Sequence, residues 1–169
     1  MSGPVISSMF SLPYIIIGRS TATGSGSYVL VMQASHPLRL AIGKLGEYAL
    51  QPGYYLYAGS ALGGLESRLA RHCRPDKRLY WHIDYLTTEL QIREAWIVLR
   101  KERLECVCAQ ALRSLPDAEV PIAGFGSSDC RCATHLVYCA SAPSAQVFEQ
   151  TMMGIGGWGL GTGGRPPNP

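Results

Sequence analysis

The sequence lacks a long apolar run, a clear secretion signal and a strong net charge. No stretch approaches the roughly eighteen consecutive apolar residues that suggest a membrane-spanning helix. The apolar run at residues 10–17 is interrupted by Pro13, and no basic residue precedes it, so it is a poor signal sequence. Fifteen basic and twelve acidic residues leave a charge of +3, which does not by itself indicate a nucleic-acid-binding protein. We expect a cytoplasmic protein with no membrane association.

Cysteine is too sparse for a disulfide scaffold. Six cysteines in 169 residues do not form the dense pattern of a small secreted domain, so we expect reduced thiols. The length and the hydrophobic content of 47% fit one folded domain with a core of moderate size. No internal repeat and no second domain are evident.

Residues 53–72 are the most informative segment, and they read as an aromatic strand, a glycine-rich turn and a basic helix. Side chains at 54–59 alternate with the period of two that is typical of a strand. In the turn, glycine allows the backbone to approach a ligand closely. The turn glycines are Gly59, Gly63 and Gly64. Arg68 and His72 are four residues apart, so a helix places them on one face, where they can hold a phosphate together with a nearby tyrosine.

Basic residues concentrate in the same region. Between residues 68 and 78 there are five basic residues and one acidic residue. Such a patch can neutralise several phosphates, although a solvated helix face has the same composition. The basic residues are Arg68, Arg71, Arg74, Lys77 and Arg78.

The remaining elements follow from apolar spacing and turn residues. We expect strands at 28–33, 38–42, 47–50, 92–99 and 135–139, and an amphipathic helix at 104–115. Residues 81–90 fit a helix, with a strand as the alternative, and residues 121–132 fit a loop. We expect a poorly structured arm at 1–25, one domain at 26–142 and a Gly/Pro-rich tail at 143–169.

Three groups of residues together carry a family resemblance. Gly26-Ser27-Tyr28, then Tyr57-Ala58-Gly59, then Arg68, His72 and His82 resemble the signature of the GIY-YIG nuclease superfamily. The core looks like an uncharacterised bacterial and archaeal branch of it (DUF123-like), sometimes found beside DNA-repair glycosylases. The resemblance covers residues 26 to 139, and its order makes it specific, because the arginine follows the second tyrosine by eleven residues.

This resemblance implies an α/β fold, with a small, mainly antiparallel twisted sheet flanked by helices. The two motif tyrosines are 29 positions apart, which is longer than is usual in the superfamily. We therefore expect residues 38–50 to form an inserted β-hairpin between the two tyrosine motifs.

The resemblance also implies catalytic roles. Tyr28 looks like a general base toward water, or a residue that orients it, and Tyr57 looks like its neighbour in the site. Arg68 would stabilise negative charge on the phosphate. His72 and His82 would transfer protons or contact the phosphate. As alternatives, the tyrosines can be packing residues, the arginine can form an ordinary ion pair with Asp84 or Glu66, and the histidine after Trp81 can be structural.

Metal and nucleic-acid contacts complete the implied site. Glu105 would hold a divalent ion, Mg²⁺ or Mn²⁺. Alternatively, Glu105 complements its helix dipole and Glu102 takes the metal role. The expected nucleic-acid contacts are Gly59, Ser60, Arg71, Arg74, Lys77 and Arg78. DNA is the expected partner, and RNA is not excluded.

One departure from the superfamily concerns asparagine, which often occurs late in the fold. The only asparagine here is Asn168, and the loop at residues 124–135 occupies the expected place. This departure leaves cleavage activity open. The possible substitutes are Ser127, Ser128, Asp129 and His135.

The same loop contains Cys130, Cys132 and His135, three potential zinc ligands. A closed structural site needs four ligands, and Cys73 or Cys139 can complete this one only if the fold brings it close. We therefore expect no zinc.

Three functions are consistent with these residues. The first is a metal-dependent endonuclease that hydrolyses phosphodiester bonds in DNA, in repair or processing. The second is a nucleic-acid-binding module on the same scaffold without cleavage. The third is a protein–protein or zinc-stabilised module that uses the loop from Cys130 to His135.

Overall fold

The computed structural model describes residues 12–18 and 24–155. Among these residues are a five-stranded sheet, a separate two-stranded sheet and four α-helices, which confirms the predicted α/β fold. In chain order the elements are β1 (Tyr14–Ile16), β2 (Gly26–Ala34), β3 (Leu38–Ile42), β4 (Gly46–Leu50), β5 (Gly53–Ala61), α1 (Leu65–Cys73), α2 (His82–Thr87), β6 (Gln91–Val98), α3 (Glu105–Arg113), β7 (Leu136–Cys139) and α4 (Ala145–Gly154).

The main sheet is mostly antiparallel, as predicted. Its strand order is β1-β6-β2-β5-β7. The β6–β2, β2–β5 and β5–β7 pairs are antiparallel, whereas β1 pairs with β6 in parallel. The two strands that carry the tyrosine motifs, β2 and β5, are therefore neighbours near the middle of the sheet.

Alternating side chains on β2 divide the core into two layers, one on each face of the sheet. Tyr28 and Leu30 pack on one face with apolar residues of α1 and α2. Val29 and Val31 pack on the other face with apolar residues of α3 and α4. Because successive strand residues point to opposite faces, the motif tyrosine belongs to the α1/α2 side.

The inserted hairpin between the two tyrosine motifs is confirmed. Strands β3 and β4 pair in antiparallel register, from Leu38 opposite Leu50 to Ile42 opposite Gly46. Ile42 and Leu50 are buried in the α1/α2-side core, which anchors the hairpin to the domain.

The segment after the basic helix is α2, so the strand alternative is wrong. Ile83, Leu86 and Leu90 are all buried, as their helical spacing predicts. The longest of the described helices, α4, has ten residues, and none of them has the length and apolar character needed to cross a membrane.

The ends of the domain differ from the prediction. Residues 14–16, expected in the arm, form β1, and residues 145–154, expected in the tail, form α4. Phe148 and Met152 explain the second difference, because both are buried against the sheet. The rest of the predicted arm and tail, residues 1–11, 19–23 and 156–169, lies outside the described residues.

Candidate functional site

A cleft of about 580 Å³ opens between the tyrosine strands, α1, α2, the start of α3 and the loop at residues 126–135. Its lining includes all six residues that the sequence predicted for catalysis and metal binding. These are Tyr28 on β2, Tyr57 on β5, Arg68 and His72 on α1, His82 on α2 and Glu105 on α3. Five separate elements thus bring the predicted residues to one place.

A glycine allows the two tyrosine rings to share one side of the sheet. The register places Tyr28 opposite Gly59, and Tyr57 is displaced by two residues. A Cβ at Gly59 would lie 2.7 Å from Cζ and Oη of Tyr28 and 3.1 Å from the Tyr57 ring. Gly59 is buried beneath these rings, so its position gives it a different role from the predicted phosphate contact.

Tyr28 and His72 form a buried hydrogen-bonded pair. The Tyr28 hydroxyl lies 2.7 Å from Nε2 of His72, and each residue is 1% exposed. Burial raises the pKa of Tyr28 well above its usual value, and Arg68 only partly offsets this. Burial, with help from Lys77 and Arg68, lowers the pKa of His72 to about 3. Both groups are therefore neutral at neutral pH.

Tyr57 is neutral for the same reason. Burial raises its pKa well above the usual value, with further upward contributions from Tyr28 and Glu105. Its ring meets Phe125 edge-on, with ring centroids 6.0 Å apart. The site thus contains two protonated phenols.

Gly126 positions His82 and fixes its tautomer. The Gly126 N–H donates to Nδ1 of His82 over 3.0 Å, so the neutral ring carries its proton on Nε2. Gly126 has a φ of 68°, and a Cβ there would lie 2.8 Å from the Tyr57 ring. A side chain at position 126 would therefore push the loop away from Tyr57 and from His82.

Arg68 is held beside the cleft by stacking and by one backbone contact. Its guanidinium carbon lies 4.5 Å from the centroid of the Trp81 ring, and Nη1 donates to the Ser60 carbonyl over 3.2 Å. The described residues contain no ion pair between Arg68 and either Asp84 or Glu66. Its charge is thus available to a bound anion.

Arg71, by contrast, is committed to Asp84. Its Nη1 and Nη2 lie 2.5 Å and 2.9 Å from the two carboxylate oxygens of Asp84. Asp84 is fully buried and also accepts the Tyr80 and Trp81 amides. Burial opposes the ionised carboxylate, but Arg71 and the amides lower the pKa of Asp84 overall. This fork stabilises the α1–α2 junction, which differs from the predicted contact with nucleic acid.

Lys77 also has a structural partner. Its Nζ donates to the His72 carbonyl over 2.6 Å and lies 3.4 Å from the Arg71 carbonyl, so it caps the C-terminus of α1. Of the predicted basic contacts, Arg74 and Arg78 are the exposed ones. Their exposed positions leave these two for an external partner.

Glu105 occupies the first turn of α3 and is half-buried in the cleft. Burial raises the pKa of Glu105, Arg103 lowers it, and Asp129 raises it again. The Arg103 Nε lies 3.8 Å from a Glu105 oxygen. The start of α3 is tied to the tyrosine strand because the Leu104 amide donates to the buried Ser27 hydroxyl over 2.9 Å. Ser27 thereby connects Glu105 to its neighbour Tyr28.

The other polar predictions divide between the cleft and its surroundings. Ser60 lines the cleft, and its hydroxyl lies 2.8 Å from that of Ser27. Ser128 and Asp129 are exposed and also line the cleft. Glu102 pairs with Arg100 at 3.3 Å and is not among the cleft residues, so Glu105 is the better placed carboxylate.

A cysteine–histidine cluster lies at one side of the cleft. One potential ligand atom from each of Cys106, Cys130, Cys132 and His135 lies within 4.8 Å of the other three. Such a cluster can hold a metal ion. The fold brings neither Cys73 nor Cys139 into this cluster, and Cys106 on α3 is the fourth potential ligand instead.

The comparison with protein families covers this whole site. The family described as "Domain of unknown function DUF123" matches residues 27–156, which is more than half of the chain.

The chain belongs to this family.

The DUF123 part of the predicted resemblance is therefore confirmed, and the wider resemblance to GIY-YIG nucleases stays a prediction. No curated protein and no solved structure matches the chain. Every residue of the cleft lies within the range that the DUF123 family matches.

Several residues that shape the site of this DUF123 family member are not predicted by the sequence. The sequence indicates Ser27 only as part of its motif and Trp81 only as the neighbour of His82. It indicates Asp84 only as a potential partner of Arg68. The capping pattern offers one signal, since Asp84 is the third residue of α2 and accepts the Trp81 amide. Cys106 gave no signal, because it lies 24 residues before Cys130.

Proposed function

We propose that this protein is a metal-dependent nuclease of the GIY-YIG type that hydrolyses phosphodiester bonds in DNA. The supporting observation is the convergence of two tyrosines, Arg68, two histidines and Glu105 on one cleft from five elements. Phosphoryl chemistry requires an oriented nucleophile, stabilisation of negative charge and a donor for the leaving oxygen. Each requirement has a candidate side chain in this cleft.

In this proposal the Tyr28–His72 pair orients the attacking water. Neutral His72 fixes the direction of the Tyr28 hydroxyl through the 2.7 Å contact. The phenol oxygen keeps a lone pair that can accept a hydrogen bond from water. Because the pKa of Tyr28 is raised and that of His72 is lowered to about 3, neither group is a strong base at neutral pH. The pair therefore positions the water and does not remove its proton.

Arg68 and His82 act on the phosphate. Arg68 has no carboxylate partner among the ion pairs of the described residues, so its guanidinium can bind two phosphate oxygens. Because Gly126 occupies Nδ1, the neutral His82 ring can donate a hydrogen bond from Nε2 to a phosphate or leaving oxygen.

Glu105 fits the role of the carboxylate for Mg²⁺ or Mn²⁺. It is half-buried on the cleft, and Asp129 contributes to raising its pKa. A cation bound beside Glu105 would offset the repulsion that Asp129 exerts on its charge, and oxygen ligands suit Mg²⁺. When bound, the ion supplies Lewis-acid stabilisation and a more acidic water. Glu105 and Asp129 would hold it, and Arg68 would remain free for the phosphate.

The rim of the cleft suits a nucleic acid. Tyr80 lines the cleft and is 76% exposed, which is unusual for a large aromatic side chain. An exposed ring beside a basic surface is a platform on which a base can stack. Arg74 and Arg78 are exposed nearby in sequence and can neutralise backbone phosphates.

The test is cleavage of labelled single-stranded, double-stranded and branched DNA with Mg²⁺, with Mn²⁺ and with chelator. Wild type is compared with Tyr57→Phe, Arg68→Ala and Glu105→Ala. We expect metal-dependent cleavage that falls by about 100-fold or more in Arg68→Ala, because a preorganised charge contact to the transition state is lost. We expect a similar loss in Glu105→Ala.

Glu102→Ala is the matched control. Glu102 lies three residues before Glu105, but it is exposed and lies outside the cleft. It should retain wild-type cleavage. Unchanged metal-dependent cleavage in Arg68→Ala and Glu105→Ala would refute the assigned site.

A non-catalytic nucleic-acid-binding module is the second candidate. It is favoured by the absence of asparagine between Glu105 and Cys139. It predicts no cleavage product and no metal requirement, with DNA or RNA binding that weakens as salt increases. Binding that Arg68→Ala reduces, without any product, would favour this candidate over the nuclease.

A further inference from the structure

We propose that Cys106, Cys130, Cys132 and His135 bind one zinc ion in a closed tetrahedral site. The geometry points to this ion directly. In a tetrahedral site, Zn–S bonds of about 2.3 Å and Zn–N bonds of about 2.0 Å place sulfur and nitrogen about 3.5 Å apart. His135 Nε2 lies 3.8 Å from Sγ of Cys106 and 3.4 Å from Sγ of Cys130. Both distances are close to the edge of such a tetrahedron.

The set of donors selects the metal. Three thiolates and one imidazole form a Cys₃His site, which is typical of structural zinc, whereas Mg²⁺ requires oxygen ligands. All six cysteines of the chain are free thiols in the structure, so none of the three is used in a disulfide. Four protein ligands leave no open position for substrate, which makes the site structural.

The fold holds the ligands on segments that are fixed independently of a metal. Cys106 lies in the first turn of α3. The His135 amide donates to the Phe125 carbonyl over 2.8 Å, and the Gly124 amide donates to the Ala133 carbonyl over 2.8 Å. The Arg113 side chain of α3 donates to the Thr134 carbonyl over 2.9 Å. These bonds place the loop against α3, with the thiols and Nε2 facing one another.

Zinc would connect the two carboxylates of the cleft. Glu105 immediately precedes Cys106, and Asp129 immediately precedes Cys130. An ion bound by both cysteines therefore limits the separation of the two carboxyl groups. The zinc site itself does not depend on the proposed nuclease function. Only the consequence for the two carboxylates rests on that proposed function.

The test is the zinc content of the full chain, purified without chelator and measured by inductively coupled plasma mass spectrometry. We expect about one zinc per chain, and near none in Cys106→Ser and His135→Ala, because three ligands do not close a structural site. Cys73→Ser is the control, since Cys73 is exposed and lies outside the cluster. It should keep the wild-type content.

A second measurement uses the wild-type chain alone, so it does not depend on the folding of a variant. Zinc is replaced by Co²⁺, and the visible spectrum is recorded. Tetrahedral thiolate coordination predicts intense d–d bands and sulfur-to-cobalt charge transfer. A wild-type chain that retains no zinc after exposure to excess zinc and gel filtration would overturn the proposal, as would octahedral cobalt bands.

Failure of this proposal is distinguishable from failure of the proposed function. A zinc-free chain that cleaves DNA with Mg²⁺ would overturn the zinc site and leave the nuclease intact. A chain with one zinc and no cleavage would support the zinc site and count against the nuclease.

Discussion

Gly59→Ala tests whether the rings of Tyr28 and Tyr57 can take their positions only because Gly59 has no side chain. The added Cβ would lie 2.7 Å from Cζ and Oη of Tyr28. Carbon atoms normally approach to about 3.5–4.0 Å, so the ring or the strand must move by roughly 1 Å. The ring cannot move freely, because it is 1% exposed and its hydroxyl is bonded to His72.

The size of the effect follows from this confinement. Overpacking of a closed core typically costs about 1–3 kcal/mol. In a domain of this size, each kcal/mol lowers the melting temperature by about 2–4 °C, so we expect a decrease of roughly 2–12 °C. Cleavage should fall as well, since displacement of Tyr28 breaks the alignment of the Tyr28–His72 pair.

Gly63→Ala provides the matched control. Gly63 lies in the turn four residues after Gly59, and a Cβ there meets no atom within 4 Å. Thermal unfolding followed by circular dichroism is measured for both variants beside wild type. Gly63→Ala should melt within about 2 °C of wild type. Equal melting temperatures for Gly59→Ala and wild type would refute the packing argument.

Two further predictions concern buried ionisable groups. The folded-state pKa of His72, about 3, is below the unfolded value of about 6.5, so its contribution to stability is complete above pH 6.5 and is lost as pH falls toward 3. In urea unfolding, the free energy of unfolding of wild type should therefore fall by about 4 kcal/mol more between pH 6.5 and pH 3 than that of His72→Gln. The control His36→Gln changes an exposed histidine and should behave like wild type. Parallel pH curves for wild type and His72→Gln would contradict the prediction. Asp84→Ala should lower the free energy of unfolding by about 3–5 kcal/mol, since it leaves Arg71 and two amides without their acceptor. A loss below about 1 kcal/mol in urea unfolding, the value of a surface pair, would argue against it.

Local patterns were sufficient for most of the fold. The β-rich composition of residues 28–33 predicted β2, alternation predicted β5, and helical spacing predicted the buried faces of α2 and α3. The convergence of the six catalytic and metal candidates was also predictable, because the order of a known motif set encodes a tertiary arrangement. The inserted hairpin followed from the separation of the two tyrosines.

Properties that depend on distant partners were not predictable. Spacing alone does not distinguish Arg68, which faces the cleft, from Arg71, which binds the buried carboxylate of Asp84. Cys106 becomes a potential ligand only because α3 packs beside a loop that follows it by more than twenty residues. The roles of α4 and β1 likewise depend on surfaces that the rest of the fold supplies.

The short strand β1 covers the edge of the main sheet that β6 would otherwise form. It pairs along β6 from Tyr14 opposite Ala95 to Ile16 opposite Ile97. The DUF123 match begins at residue 27, after this strand. A fragment trimmed to the family boundary would therefore expose a row of unsatisfied amides and carbonyls on β6, next to apolar side chains. Such an edge strand is a template for pairing with a second copy of the chain. Residues 12–18, none of which lines the cleft, therefore cover the edge of β6 at which a second copy could pair.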